Sequence, residues 1–387
     1  MKKLFSFLFK AALCLLIVYI GVRIGNDIID CVNPWEGEQP VELTDVGSPY
    51  KHYYDRLSDI EKHAYNEMLT NIYDMPEKIR LPEINAEQLN KVFSALLCDN
   101  PDLFFVGRKC VLSSAMFTTE CSVEYTVSKE EYEQQKAEFD KKCEEVLNSL
   151  SRPDDDWQTE REIHDYIVKN CEYKIVEDEF VYSSSYGALV NGEAACEGYS
   201  KAAKQLLDMA GIESAVISGI SSVEDSEGPH MWNVVNVYGD YYHLDCTWDD
   251  PVNDDGRQVK TYAYFNLSDD MIEATHSDFS YDFECTATKA NYYEKTGSYF
   301  ASYDRSCEGD VVEVIAKALK SGEEFFELRF GSKKVYNNAV SDLIDGGRMY
   351  NILRRAKEKT SVDFAMNKLA YFKDSGQYLL TFVIDTN

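Results

Sequence analysis

The amino-acid sequence predicts an α+β protein, and two adjacent segments near its centre carry most of that prediction. In CEGYSKAAKQLLDMAG, apolar residues recur at helical spacing after Cys196, and Gly211 supplies a helix stop. In the later segment HMWNVVNVYGDYYHLDCTWDDP, apolar and polar residues alternate on both sides of Gly239-Asp240, which is typical of a β-hairpin. Further helical and strand-like segments lie on either side. We therefore predict a mixed fold built around one helix and one hairpin.

Residues 1–30 have the pattern of an export signal. Lys2 and Lys3 precede an apolar run at 11–22, and an acidic segment follows beyond Asn26. Positive charge before an apolar run and acid after it place the N-terminus in the cytoplasm and the rest of the chain outside. No A-x-A cleavage site is visible, so we predict an uncleaved signal anchor. A cleaved signal and a secreted protein are the alternative.

The segment between this anchor and the central core reads as a tether and a small domain. Residues 31–49 are polar and contain several prolines, which indicates a tether. Residues 50–150 are predicted to form an N-terminal α+β domain. Its expected elements are helices at 58–73 and 86–97, strands near 103–106 and 121–127, and a charged helix at 128–150.

The predicted core covers 151–285, and residues 286–387 are predicted to form a C-terminal α+β accessory domain. The expected elements of that second domain are a helix at 311–319, a strand at 325–330, helices as far as Lys357 and two final strands. It carries no motif to which chemistry can be assigned.

Composition bounds the partners and the redox chemistry. The chain has 387 residues and a formal net charge of −29, which argues against binding nucleic acid or anionic lipid. Eleven cysteines are present, and leaving out Cys14 in the anchor and Cys196 gives an odd number that cannot all pair internally. Cys110 and Cys121 have a spacing suited to a cross-strand pair. Disulfide connectivity otherwise stays open.

Cys196 is the strongest candidate for a nucleophile. A helix N-terminus stabilises a thiolate through unpaired N–H groups and the positive end of its dipole. Asn191-Gly192 marks a turn before it, and Gly198 in the first helical turn keeps bulk away from the thiol. The alternative is a buried structural cysteine, the commoner fate of a thiol taken alone.

His230 and Asp245 are candidates for a base and for the group that orients it. In the simplest hairpin register, with Tyr238 opposite Tyr241, both lie on the same face of the sheet. Asp245 then lies opposite Val234, four residues or about 13 Å along the ladder from His230, and a bulge, a wider loop or strong twist must close the gap. The alternatives are a surface histidine and a turn aspartate.

Two further alternatives concern the base and the type of site. His243, two residues before Asp245, is a rival base. The same residue types could bind zinc, but no C-x-x-C or H-x-x-x-H pair is present. We therefore expect no metal and no cofactor.

The chain resembles the bacterial transglutaminase-like proteins. The resemblance runs through IHDYIVKNCEY, YGALVNGEAACEGYSKA, GIES, HMWNVV and YYHLDCTWDDP, and departs from the common family pattern at Met231 and Tyr241. It implies a papain-like core with a Cys, His, Asp triad, and this core would lie between the two α+β domains predicted above. In that reading Cys196 is the nucleophile, His230 the general base and acid, and Asp245 the holder of the imidazole.

The resemblance also implies partners for the reacting groups. The Cys196 N–H would bind the oxyanion together with an upstream side chain, for which Tyr186 is the candidate. Trp232 and Trp248 are candidates for the walls of a substrate channel, although aromatic residues on a hairpin face are more often plain core.

The expected activity is acyl transfer from an amide through a thioester. We expect a hydrolase of the cysteine peptidase type first and a cross-linking transferase second. A catalytically silent cell-surface binding module for peptide or cell wall is the alternative from another class. The expected substrate is a protein or peptide, with cell-wall peptide included, and the catalytic part is expected outside a membrane that holds the anchor.

Overall fold

The protein is represented by a computed structural model that describes residues 35, 37–115, 118–151, 154–177, 179–223, 226–251, 260–280, 283–323, 325–364 and 370–384. The chain divides into two compact units, one ending at Ala137 and the other beginning at Glu138. The predicted anchor at 1–30 and the start of the predicted tether lie outside the described residues. Within the described residues, no helix combines the length and the apolar character needed to cross a membrane.

The first unit has a three-stranded antiparallel sheet in the order β1-β3-β2. Two of its helices start with capping boxes, at Ser58 with Glu61 and at Asn85 with Gln88, which satisfy N–H groups that a helix start leaves unpaired. The elements are α1 (His52–Asp55), α2 (Asp59–Ile72), β1 (Ile79–Leu81), α3 (Ala86–Asp99), β2 (Val106–Ala115) and β3 (Thr118–Tyr125). Helix α4 (Lys129–Asn148) runs across the division between the units.

The second unit contains a five-stranded antiparallel sheet in the order β10-β6-β7-β8-β9. Its elements are α5 (Asp156–Asn170), β4 (Glu172–Tyr173), β5 (Glu193–Ala194), α6 (Cys196–Met209), β6 (Ser214–Val223), β7 (Ser226–Val237), β8 (Asp240–Leu244), β9 (Phe265–Leu267), α7 (Asp269–Ile272) and β10 (His276–Ser277). Helix α6 packs on β6 and β7 through the apolar face that the sequence predicts, where Leu206 and Leu207 are fully buried. Burial of each such side chain stabilises the fold by about 1.5–3 kcal/mol.

The hairpin between β7 and β8 differs in register from the simplest prediction. Val237 pairs with Asp240, so the turn consists of Tyr238 and Gly239, whose φ angles are 56° and 92°. Two positive φ angles in a two-residue loop are the mark of a type I′ turn, which matches the twist of the flanking strands. Relative to the expected pairing, this register moves Asp245 two residues along the ladder toward His230. The four-residue gap of the expected pairing is thereby reduced to two residues, and the side chains of His230 and Asp245 meet across it at 2.7 Å.

A second sheet in the same unit has the order β11-β12-β14-β13, with β11 and β12 parallel. Its elements, with the helices that accompany them, are α8 (Tyr292–Thr296), β11 (Tyr299–Phe300), α9 (Glu308–Ser321), β12 (Phe325–Phe330), α10 (Lys333–Ala339), α11 (Arg348–Thr360), β13 (Ala370–Asp374) and β14 (Leu379–Val383). Helices α9 and α11 contribute a buried apolar cluster with β12 and β14. This region therefore contains both helices and strands, and it belongs to the same compact unit as the five-stranded sheet.

One buried carboxylate joins this second sheet to the segment that precedes β9. Glu327 accepts hydrogen bonds from Thr261 Oγ1 at 2.7 Å and from the N–H of Tyr262 at 3.1 Å. It also accepts from Tyr293 Oη at 2.9 Å and Thr381 Oγ1 at 2.8 Å. A buried acid is tolerated when donors satisfy its oxygens, and Glu327 has four.

Gly198 is needed for packing at the start of α6. A Cβ on Gly198 would lie 2.7 Å from Ala194 Cβ and 2.8 Å from the carbonyl oxygen of Tyr182. The short 3₁₀ segment Phe180–Ser183 therefore rests directly against the first turn of the helix. This close approach, rather than room for a substrate, is what the structure requires of the glycine.

We expect Gly198→Ala to lower the free energy of unfolding by about 1–3 kcal/mol, because the new methyl group overpacks against backbone. Gly309 is the matched control, since it also lies in the first turn of a helix but a Cβ added to it would have nothing within 4 Å. Gly309→Ala should leave the free energy of unfolding unchanged or raise it by up to about 1 kcal/mol. Chemical denaturation of both variants measures the difference, and equal effects would contradict the packing argument.

Candidate active site

Cys196 is the first residue of α6 and is held in place by the strand pair before it. Ala195 has extended backbone and donates its N–H to the Tyr182 carbonyl at 2.7 Å. Just upstream, β5 pairs in parallel with β4, with Tyr173 opposite Ala194. The thiol is half-buried, at the end of a helix whose first N–H groups have no acceptor within the helix.

His230 lies on β7 and joins Cys196 to Asp245. Its Nε2 is 2.7 Å from Asp245 Oδ2. The Cys196 thiol lies near enough to the same imidazole to contribute to raising its pKa. Because Nε2 faces the carboxylate, the other ring nitrogen is the one left for the thiol. The structure therefore brings the three predicted side chains together, with His230 hydrogen-bonded to Asp245 and next to the Cys196 thiol.

Asp245 is fully buried and its carboxylate is fully engaged. Oδ1 accepts the N–H groups of Thr247 at 3.0 Å and Trp248 at 3.2 Å. Oδ2 accepts from His230, and its backbone N–H donates to the Tyr264 carbonyl at 3.1 Å. The carboxylate is thus fixed from both sides, as a group that orients an imidazole must be.

Burial and pairing act in opposite directions on the charges of this pair. Burial disfavours the charged imidazole, but the Asp245 carboxylate and the hydrogen bonds outweigh it and raise the pKa of His230 to about 10. Burial likewise disfavours the carboxylate, yet His230 and His276 hold the pKa of Asp245 well below its usual range. At neutral pH the pair is therefore an imidazolium with a carboxylate.

A second histidine, His276, contacts the same carboxylate oxygen. Its Nε2 is 3.2 Å from Asp245 Oδ2, and its side chain is fully buried. Sequence reasoning did not find this residue. It lies on a two-residue strand 31 positions after Asp245, and no local pattern marks such a strand or its partner.

His243, the rival base, is engaged elsewhere. Its Nδ1 accepts the indole N–H of Trp232 at 3.0 Å, and its Nε2 is 2.9 Å from Asp269 Oδ1. An indole N–H can only donate, so Nδ1 carries a lone pair and Nε2 carries the proton. Burial lowers the pKa of His243, which agrees with a neutral ring. His243 is thus a buried structural histidine in this geometry.

The three remaining predicted site residues are placed differently from one another. The Tyr186 hydroxyl donates to Glu138 Oε2 at 2.8 Å, so its proton is not available to an oxyanion. Trp232 is fully buried beneath His230 and cannot line a channel. Trp248 is partly exposed, and it lines a cleft of about 840 Å³ with other residues that include Thr247, Tyr264, Thr275, Lys373 and Gln377.

Among the residues that the structure describes, two groups of side chains have ligand atoms close enough together to consider a metal ion. They are His230, Asp245 and His276, and His243, Asp269 and Cys285. In the second group Trp232 fixes the proton of His243 on Nε2, the atom that would have to bind the ion. In the first group both imidazoles turn Nε2 to Asp245, and hydrogen bonds between the three residues satisfy these atoms.

Two further aspartates, Asp249 and Asp250, are buried close to Asp245 in the sequence. Asp249 accepts from His164 Nε2 at 3.1 Å and from the N–H of Tyr264 at 2.8 Å. Asp250 accepts from the Tyr199 hydroxyl at 2.7 Å. Burial raises the pKa of Asp249 to about 7 and that of Asp250 to about 6. Both residues tie helices to the strand end after Asp245.

Comparison with known structures gives distant likenesses. The chain is similar to the crystal structure of "a TGase" at 15% identity and a TM-score of 0.27, over 46% of this chain and 53% of that one. It is similar to "a Putative Cysteine Protease from Cytophaga hutchinsonii" at 11% identity and a TM-score of 0.25, over 40% of this chain and 65% of that one. It is also similar to "a putative protease from Parabacteroides distasonis" at 13% identity and a TM-score of 0.21, over 40% of this chain and 40% of that one. This chain therefore spans about half the length of the first of these proteins.

Comparison of sequences is more specific. No curated protein matches the chain at a significant level. A family model does match residues 144–246, and that family is the transglutaminase-like superfamily. The matched segment contains Cys196, His230 and Asp245 and ends before His276. Residues 144–246 are therefore a transglutaminase-like domain, which forms the core of a mixed α and β fold.

Proposed function

We propose that this protein is a thiol enzyme that cleaves or transfers an amide acyl group through a thioester on Cys196. The observation that carries the proposal is the His230–Asp245 hydrogen bond beside the Cys196 thiol, with Cys196 at the N-terminus of α6. Thiol, imidazole and buried carboxylate in this order are the parts of a nucleophilic triad.

The first half-reaction uses Cys196 and His230. The thiolate sulfur attacks the amide carbonyl carbon and forms the C–S bond, while the carbonyl oxygen becomes an oxyanion. The N–H of Cys196 at the helix start is the donor that this fold offers to that oxygen. When the C–N bond breaks, His230 gives its proton to the leaving amine and becomes neutral. The product is a thioester on Cys196 and a free amine.

The second half-reaction returns the enzyme to its starting state. Neutral His230 takes a proton from water or from a second amine, which attacks the thioester carbon. The C–S bond breaks, and the sulfur leaves as the thiolate beside the protonated imidazole. Asp245 touches neither reactant, but it keeps the ring in the orientation that both transfers need and stabilises its charged form.

Hydrolysis is our first choice for the second half-reaction. The thiol is half-buried rather than enclosed, so water is always present as an acceptor. Transfer to an amine requires in addition a binding site for that amine. A protein or peptide is the proposed substrate, with cell-wall peptide included. The cleft of about 840 Å³ beside Trp248 has the volume for part of an extended chain, and its lining residues include neither Cys196 nor His230.

We further propose that the enzyme acts outside the cell, held by an anchor at residues 1–30. The supporting observation is the arrangement of Lys2, Lys3, an apolar run and an acidic continuation. Protease treatment of intact cells tests the location. Digestion of the domain supports an outward orientation, and protection until lysis contradicts it.

Alkylation of Cys196 tests the activated thiol. Because the pKa of His230 is raised to about 10, its imidazolium form persists from acid to neutral pH and can hold a thiolate there. We expect iodoacetamide to label Cys196 readily at pH 6, with labelling read by mass spectrometry of the Cys196 peptide. In His230→Gln the labelling should rise only toward the range of an ordinary thiol, about pH 8.5.

His243→Gln is the matched control, since it removes a buried histidine from the same sheet without touching Asp245. Labelling of this variant should follow the wild type. If His230→Gln matched the wild type while His243→Gln lost labelling, the base would be His243. Labelling of the wild type that began only near pH 8.5 would overturn the enzyme proposal and favour a binding module.

A turnover assay separates hydrolysis from transfer. An amine-blocked protein is incubated with and without a fluorescent primary amine, and ammonia, new N-termini and incorporated fluorescence are measured. We expect release of ammonia or new N-termini with little incorporation. Fluorescence incorporated in place of hydrolysis would show a transferase. Cys196→Ala should abolish every signal, and any turnover that it retains would exclude the thioester route.

A further inference from the structure

Asp245 Oδ2 is shared by two imidazoles, although a triad needs only one. His230 Nε2 is 2.7 Å from this oxygen and His276 Nε2 is 3.2 Å from it. We propose that His276 is a positioning residue of the active site, which holds the Asp245 carboxylate in place for His230 by donating its Nε2 proton. The proposal rests on the function proposed above and adds a residue that lies beyond the matched family segment.

The direction of the hydrogen bond follows from the chemistry of the partner. An ionised carboxylate can only accept, so Nε2 of His276 must carry a proton whether the ring is neutral or charged. The other ring nitrogen is 2.9 Å from Thr275 Oγ1, a hydroxyl that can donate or accept. His276 can therefore serve Asp245 in either charge state, while Thr275 fixes the rotation of the ring.

The sheet is built so that His276 can reach Asp245. Strand β10 pairs with β6, and His276 lies opposite Ser221. On β6, a Cβ at Gly219 would lie 2.4 Å from the Ser277 carbonyl oxygen and 2.8 Å from the Trp232 ring. Without a side chain there, Trp232 extends across β6 and packs against His276 with ring centroids 4.8 Å apart. The same indole lies 5.9 Å from His230, so one ring supports both imidazoles.

The contact between His276 and Asp245 is shielded from solvent. Both residues are 1% exposed. The titratable groups that face His276 are Asp245, His230 at 5.4 Å between ring centroids, Tyr264 at 5.8 Å, and His243, which packs on the other edge of Trp232. Loss of the His276 donor would leave Oδ2 with the hydrogen bond from His230, so that this side of the carboxylate would be held less firmly than Oδ1, which keeps two N–H donors.

A merely structural role for His276 predicts something different from a positioning role. His276 also packs against Trp248 at 4.7 Å, so its removal can affect stability through packing alone. The discriminating property is the donor at the position of Nε2. A glutamine places an amide N–H group near that position, whereas an asparagine is one methylene shorter and places it near Nδ1. The two variants therefore carry the same amide group and differ mainly in whether it can reach Asp245.

The experiment measures the rate of Cys196 alkylation by iodoacetamide against pH in the full chain, with thermal melting to check the fold. We expect His276→Gln to stay within about threefold of the wild type at pH 6, because the charged acceptor keeps its donor. His276→Asn and His276→Leu should be labelled at least about tenfold more slowly at pH 6, since a hydrogen bond to a charged group is lost. The acid limit of labelling, which is the lowest pH at which Cys196 still reacts readily, should move to higher pH in His276→Asn and His276→Leu.

His243→Leu is the matched control, because it removes a second buried imidazole that contacts Trp232 but not Asp245. It should lower the melting temperature without moving the acid limit. If His276→Leu does not fold, the comparison of His276→Asn with His276→Gln still tests the positioning role. Wild-type labelling in His276→Asn would overturn the proposal, and so would equal losses in Asn and Gln. Failure of the wild type to react at pH 6 would instead overturn the triad itself.

Discussion

The burial of one ionised carboxylate, Asp245, is the constraint on which the active-site region depends. A charged carboxylate away from water is costly unless donors surround it. Here the donors are two backbone N–H groups on Oδ1 and two imidazoles on Oδ2. They come from the turn after β8, from β7 and from β10, which are far apart in sequence. The type I′ hairpin, the short strand β10 and the loop after β8 must all be in place before Asp245 can be ionised where it lies.

The C-terminal sheet takes part in this arrangement through the chain segment before β9. Tyr264 accepts the backbone N–H of Asp245 and donates its own N–H to Asp249. Three and two residues upstream, Thr261 and Tyr262 donate hydrogen bonds to Glu327 on β12. Arg329 on the same strand donates to the Ala263 carbonyl at 2.9 Å. A region without any chemical motif thus fixes the backbone that holds the orienting residue, and it forms one wall of the cleft beside Trp248.

The sequence was sufficient for the elements that carry local patterns. The apolar face of α6, the position of Cys196 at its start and the presence of a hairpin all follow from periodicity and turn residues. The register did not follow, because a bulky residue such as Tyr238 is not expected at a turn position with positive φ. Its hydroxyl donates to Asp155 and Lys295 lies 4.8 Å above its ring. A pattern search instead favours Gly239-Asp240 as the turn, which displaces Asp245 by two residues.

The roles of side chains that depend on partners far away in the sequence could not be predicted either. Trp232 looks like a channel residue on a hairpin face, but Gly219 on the neighbouring strand lets it extend into the interior. Tyr186 is upstream of the nucleophile, as an oxyanion donor should be, yet its hydroxyl donates a hydrogen bond to Glu138 on α4. His276 stands in a segment with no detectable strand pattern. In each case the decisive contact joins residues that no spacing rule connects.

The environment of Asp245 also explains why this aspartate, among several buried acids, is suited to hold a base. Burial raises the pKa of Asp249 to about 7, of Asp250 to about 6 and of Glu160 to about 8. Asp245 is as deeply buried, but two imidazoles keep its pKa low. Neighbouring carboxyl groups whose pKa values are driven apart acquire different roles. Those with raised pKa values can be neutral at little cost and serve as hydrogen-bonded supports, whereas Asp245 keeps the negative charge that makes His230 an imidazolium next to Cys196.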